Sequence, residues 1–113
     1  DKTRDNRGNS HIGRIMGGVA EKDCIIVDDI VDSGGTLCNA VKALQKAGAK
    51  SVKAYVTHAV LSSCMIEDML ETGLGELVIT DSIDNINLKM TKRFRSITMS
   101  GLIANAIKKV CQK

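Results

Sequence analysis

Residues 25–37 read IIVDDIVDSGGTL, and the order of side-chain types in this stretch decides the fold. Around it, residues 23–28 (DCIIVD) form an unbroken apolar run that ends in carboxylates. A run without polar alternation predicts a strand covered on both faces, as in a parallel sheet. Segment 29–35 holds Asp29, Asp32, Ser33, Gly34 and Gly35, all turn-forming types, and reads as a loop. A helix is predicted from Gly35 to Ala47, with Leu37, Val41 and Leu44 at helical spacing and Gly48 as its stop. In open α/β sheets, ligands bind beyond the carboxyl ends of the strands, and this loop lies at such an end.

Strand and helix alternate downstream. Residues 51–57 (SVKAYVT) predict a strand, 62–72 a helix with Met65, Ile66, Met69 and Leu70 on one face, and 76–80 (ELVIT) another strand. Residues 94–98 (FRSIT) read as a short last strand. Ser100 is expected to cap a final helix with Leu102, Ile103, Ala106, Ile107 and Val110 in one stripe. Upstream, residues 1–10 (DKTRDNRGNS) read as a mobile polar loop and 11–16 (HIGRIM) as a short edge or hairpin strand. The pattern predicts an α/β fold, a mostly parallel sheet flanked by helices with right-handed crossovers.

The chain has 113 residues, enough for one modest domain. Its formal net charge of +3 is mild and suits an anionic small molecule better than a polynucleotide. No apolar run approaches the ~20 residues that span a bilayer, so no membrane is expected. No signal-peptide pattern opens the chain, and the opening Asp1 reads as a processed product or an excised fragment. Cys24, Cys38, Cys64 and Cys111 match no zinc spacing and read as buried reduced thiols, pointing to the cytoplasm.

The chemistry of the loop follows from its residues. Gly34 and Gly35 let the backbone turn sharply and approach an anion. Ser33 and Thr36 add hydroxyl donors, and the free N–H groups of the helix start point the same way, with the helix dipole favouring negative charge. A phosphate monoester fits. Asp28 and Asp29 would repel a phosphate in contact but accept hydrogen bonds from vicinal hydroxyls, which makes ribose phosphate the expected guest. The loop lacks the Lys of a Walker A motif.

At these residues the chain resembles the type I phosphoribosyltransferase fold, whose ribose-phosphate motif is a strand, two acids and a small-residue loop ending in Thr or Ser. Residues 57–62 (THAVLS), 78–82 (VITDS) and 100–110 (SGLIANAIKKV), with the opening DKTR, are similar to the ribose-phosphate pyrophosphokinase family across essentially the whole chain. Thr3 stands where that family usually has a second Arg. The resemblance implies transfer of the diphosphoryl group of MgATP to the 1-hydroxyl of ribose 5-phosphate. It implies that Asp32, Ser33, Gly34, Gly35 and Thr36 hold the 5-phosphate and that Asp28 and Asp29 contact the ribose hydroxyls. Lys2 and Arg4 would close over the transferring phosphates, although by themselves they read as solvated charges. Residues 1–10 would be the remnant of a flexible catalytic loop and 23–113 the core of a C-terminal domain segment. The ATP-binding half and the ligands of Mg2+ would lie upstream, leaving no direct metal ligand here and the isolated segment inactive. Homo-oligomers, dimers assembling into hexamers, are implied as well. A non-catalytic regulatory homologue and a true phosphoribosyltransferase are the alternatives.

Three further features are weighed. His58 is readable as a general base, but a packed or capping histidine is preferred. Thr80, Asp81 and Ser82 either border a ligand or serve as caps and turns. The basic stretch 85–113 reads as a solvated face, since Phe94 is its only aromatic and no nucleic-acid platform accompanies it.

Overall fold

The computed structural model describes residues 2–4, 10–12, 17–61, 68, 69, 71–83 and 93–112, with the first two segments given as backbone alone. Strands β1 (Lys2–Arg4) and β2 (Ser10–Ile12) form an antiparallel ribbon in which Thr3 pairs with His11. Four strands, β3 (Asp23–Val31), β4 (Ser51–Ala59), β5 (Glu76–Thr80) and β6 (Phe94–Ile97), form one all-parallel sheet in the order β3-β4-β5-β6. Helices α1 (Gly35–Lys46) and α2 (Ser100–Cys111) are the two long helices among the described residues. The expected α/β class and parallel sheet are both present.

Helix α1 presses Leu37, Cys38, Ala40 and Val41 onto the sheet, where Val52, Ala54 and Val56 of β4 alternate into the same core. Leu77 and Ile79 of β5, Phe94 of β6, Met69 and Leu74 close it. The helix stops as its sequence dictates. Gly48 takes φ +95°, its N–H donates to Gln45 O, and Ala49 N–H reaches back to Leu44 O, the paired bonds of a glycine-terminated helix.

Several expectations are corrected. Residues 2–4 are not loop but strand, because β-branched Thr3 and its neighbours find a partner in Ser10–Ile12. Strand β3 runs on to Val31, so Asp29, Ile30 and Val31 belong to the strand and not to the loop. Strand β4 likewise runs on to Ala59 and includes His58. Strand β3 is not covered on both faces. Ile25 is 61% and Val27 79% exposed, since burial comes from the α1 side alone. The strand with consecutive buried residues is β5, at Leu77, Val78 and Ile79. Ser100 is not the cap of α2 but its first helical residue. Met99 holds the cap position, and the Ser100 N–H donates to Thr98 Oγ1. The helix expected at 62–72 falls largely outside the described residues, although Asp68, Met69 and Glu71 are helical. Residues 13–16 of the expected upstream strand also lie outside them. No helix among the described residues is long and apolar enough to cross a membrane.

Candidate sugar-phosphate site

The site is built where β3 hands the chain to α1. The sheet bonds end at Val31, the small residues of 32–34 reverse the backbone, and Gly34 takes the N-cap position of α1 with φ +76°. That left-handed conformation suits glycine, because a Cβ there would crowd the following carbonyl. Gly34 is buried and its carbonyl accepts the first helical bond, from Cys38 N–H at 2.8 Å. Gly34 has no side chain with which to cap the helix, and the first turn holds no acid. The leading N–H groups of α1 therefore have no intrahelical partner and face outward with the positive end of the dipole. Ser33 and Gly35 are exposed and Thr36 is half-buried beside them.

The carboxylates precede the turn. Asp28 is half-buried, and its Oδ1 accepts the Asp29 N–H at 2.8 Å. Asp29 is exposed. In the ladder with β4, Asp28 pairs with Val56, and Asp29 stands between it and Ile30, which pairs with His58. Among the described residues no group of three or more His, Cys, Asp or Glu could hold a metal ion.

The loop also opens onto a cleft of about 410 Å³ running along α1. Ser33, Gly34 and Gly35 form its mouth, Cys38, Asn39 and Lys42 its helical wall, and Asp68, Glu71 and Thr72 its far wall. Sequence reasoning missed Lys42, although positions 35, 38/39 and 42 share one helix face and carried the signal. Burial pushes the Cys38 thiol above its ordinary range, with Lys42 opposing and Asp68 reinforcing the shift. Cys38 is thus a protonated packing residue. Cys24 is half-buried, whereas Cys111 is exposed, against the expectation of burial, because α2 buries no residue. Cys64 lies outside the described residues.

The neighbouring strand end is tied to the same place. Val60 and Leu61 N–H both donate to Val31 O, at 2.9 and 3.3 Å, which folds the end of β4 over the base of the loop. Leu61 is 7% exposed and takes φ +48° to do so. Leucine rarely adopts this conformation, at a cost of about 1–3 kcal/mol. His58 pairs in register with Ile30 and is exposed, not packed. Its Nδ1 lies 2.8 Å from Ser82 Oγ. Ser82 Oγ donates to Thr57 O at 3.2 Å, Thr80 Oγ1 donates to the same carbonyl, and Ser82 N–H donates to Thr80 Oγ1. Asp81 instead receives the Met99 N–H at 2.8 Å. The Thr98 hydroxyl and that N–H hold its carboxyl below the usual range.

The side chains of Lys2 and Arg4 lie outside the described residues, while the backbone of their β1–β2 ribbon reaches α1 through β2. Of the basic stretch, Phe94 is buried in the core and offers no stacking surface. Arg93 donates to Leu74 O, and Arg95 meets Glu76 at 3.5 Å on the surface.

Comparison with known proteins decides the family. A family model described as phosphoribosyl synthetase-associated domain matches residues 10–113. The chain belongs to the phosphoribosyl synthetase-associated domain family. Among relatives of that kind, the ribose-phosphate pyrophosphokinase of Agrobacterium fabrum is 46% identical over 114 residues, covering 100% of this chain and 37% of its own length. That of Pasteurella multocida is 42% identical over 111 residues, covering 97% of this chain and 35% of its own. The crystal structure of phosphoribosylpyrophosphate synthetase from Mycobacterium smegmatis superposes with a TM-score of 0.82 at 33% identity, over 88% of this chain and 33% of that one. The chain thus spans little more than a third of the length of these relatives, and the phosphoribosyl synthetase-type fold is shared.

Proposed function

We propose that this chain supplies the sugar-phosphate side of a ribose-phosphate pyrophosphokinase. The observation that carries the reading is the start of α1 at left-handed Gly34, one short turn beyond the two carboxylates near the end of β3. A phosphate monoester at Ser33–Thr36 would complete the open helix start, and Asp28 and Asp29 would accept hydrogen bonds from the attached pentose. The names of the relatives point to the same chemistry.

In the proposed reaction the 1-hydroxyl oxygen of ribose 5-phosphate bonds to the β-phosphorus of MgATP. The bond from that phosphorus to the oxygen bridging the α-phosphate breaks, and its electron pair leaves with AMP. The hydroxyl proton is released and 5-phosphoribosyl 1-diphosphate forms. Such transfers are accelerated mainly by positioning and by cations facing the developing charge. Holding the 5-phosphate and the ring hydroxyls fixes where the 1-hydroxyl points. Lys2 and Arg4 would bring positive charge over the diphosphoryl group as their segment closes and excludes water. Magnesium enters with ATP as part of that substrate. A cytoplasmic setting and a homo-oligomer belong to the same reading, and nucleic acid and membrane do not.

Two substitutions in the full-length polypeptide test it. Asp29→Asn removes an acceptor. Gly35→Val fills ligand space, since a Cβ at Gly35 meets nothing within 4 Å beyond its chain neighbours and its own helix backbone. Each is expected to lower ribose 5-phosphate-dependent AMP release by at least ~100-fold, as expected for loss of a positioned contact. Wild-type release from both variants would refute the reading. Exchange of a labelled nucleobase into nucleotide, without AMP release from ATP, would favour a phosphoribosyltransferase instead.

A further inference from the structure

The carboxyl ends of β4 and β5 carry a hydrogen-bonded chain whose direction can be worked out atom by atom. Thr57 O has only lone pairs, and it receives both the Thr80 hydroxyl and the Ser82 hydroxyl. Ser82 has one hydroxyl hydrogen, and that bond uses it. With that bond made, the 2.8 Å contact between Ser82 Oγ and His58 Nδ1 runs the other way, with Nδ1–H donating to Ser82. The Ser82 N–H, donating to Thr80 Oγ1, locks the serine in place. In the neutral ring this assigns the hydrogen to Nδ1 and leaves Nε2 with a bare lone pair. His58 is exposed and its recorded hydrogen bond is the one to Ser82, so Nε2 has no partner among the described residues.

The position of that lone pair matters. His58 pairs with Ile30, which lies between the acids and the phosphate loop on the adjacent strand, and neighbouring strands run ~4.8 Å apart. The double bond of Val60 and Leu61 to Val31 O binds this strand end to the base of the loop. An oriented acceptor thus stands at the same sheet edge as Asp28 and Asp29, one strand further along.

We propose that His58 is a further ligand-contacting residue of the site, its Nε2 accepting a hydrogen bond from a hydroxyl of the bound sugar phosphate, with Ser82 as the positioning residue. This rests on the sugar-phosphate reading above. A histidine that merely bridged β4 and β5 would need only its Nδ1–H.

Isosteres separate the two roles. Asparagine sets an amide N–H where Nδ1 stands and has nothing at Nε2, while glutamine reaches the Nε2 position and abandons Ser82. In the full-length polypeptide, binding of ribose 5-phosphate and of inorganic phosphate is measured by calorimetry, with melting temperature as the check on folding. His58→Asn is expected to weaken ribose 5-phosphate about tenfold, which corresponds to about 1.4 kcal/mol, with inorganic phosphate affinity and melting temperature unchanged. Ser82→Ala should weaken the sugar phosphate in the same direction and by less, and Ser82→Thr should restore it. Should His58→Asn fail to fold, His58→Gln takes its place, with sugar-phosphate affinity nearer to wild type than that of His58→Ala. Wild-type affinity in His58→Asn, equal weakening of both ligands, or His58→Gln no better than His58→Ala would overturn the inference. A wild-type protein that binds phosphate but not ribose 5-phosphate would instead remove the underlying reading, and this inference with it.

Discussion

Helices α1 and α2 are each 12 residues long and each carries an apolar stripe at helical spacing, yet their fates differ. Four residues of α1 are buried, including Val41 at 0% exposure. No residue of α2 is buried, and Leu102 is 72%, Val110 67% and Ile107 57% exposed. Periodicity reports which side of a helix is ready for contact. It does not report whether a surface is waiting for it. Helix α1 is the direct crossover from β3 to the adjacent β4, so topology lays it on the sheet. Helix α2 follows the last strand, tied at its start to Asp81 and leaving with its stripe uncovered.

The comparison can be broken most forcefully at the stripes. In the 113-residue chain, Leu37→Ala in α1 is expected to cost about 2–5 kcal/mol of unfolding free energy, as for other buried leucines. Leu102→Ala in α2 should stay within about 0.5 kcal/mol. Denaturant titration of both variants measures the gap. A large cost for Leu102→Ala in the full-length polypeptide would show that the stripe is covered there.

Glycines sharpen the contrast at the helix starts. Gly34→Ala forces a side chain into φ +76° and is expected to destabilise by about 1–2 kcal/mol. Gly101 lies within the first turn of α2, where an added Cβ meets nothing within 4 Å. Gly101→Ala should therefore stabilise, by up to about 1 kcal/mol through helix propensity. Thermal melts with opposite signs for the two substitutions are the expected result.

The smallest effect concerns acid. The folded Asp81 carboxyl sits below its ordinary range because the Thr98 hydroxyl and the Met99 N–H favour the charged form. A depressed carboxyl contributes stability that is present above its unfolded value and lost as the pH falls through the folded one. The protection factor of the Met99 amide, its exchange rate corrected for the intrinsic effect of pH, should thus fall once the pH drops below the usual carboxylate range. Asp81→Asn should show little of that dependence.

Much of the fold was legible because its signals were local. Strand β5 and the span of α1 with its glycine stop follow from apolar runs and turn residues alone. Strands β3 and β4 were read short because Asp29 and His58 are polar, and polar residues usually mark strand ends. Here the ladder continues past them, since an exposed side chain at a sheet edge costs little while the backbone keeps its bonds. Segment 2–4 was read as loop because three residues give no period to recognise. At the site, the small-residue loop declared itself through Gly34 and its neighbours. The link between His58 and Ser82 did not, because it joins residues 24 apart through a strand register that composition does not encode. Lys42 shares the helix face of Gly35 and Cys38, a spacing that the sequence itself displays.

One property of the sheet reaches beyond the finished molecule. Its spatial order is the order of the chain, each strand bonding beside the one before it. Among the described strands of this sheet none has to be wedged between two earlier ones, so these strands can add from a single side as residues become available during synthesis. Strands β3 and β4, with α1 between them, already bring together the acids, the phosphate-type turn and His58. The residues that would meet the sugar are therefore brought together before the C-terminal helix has been made.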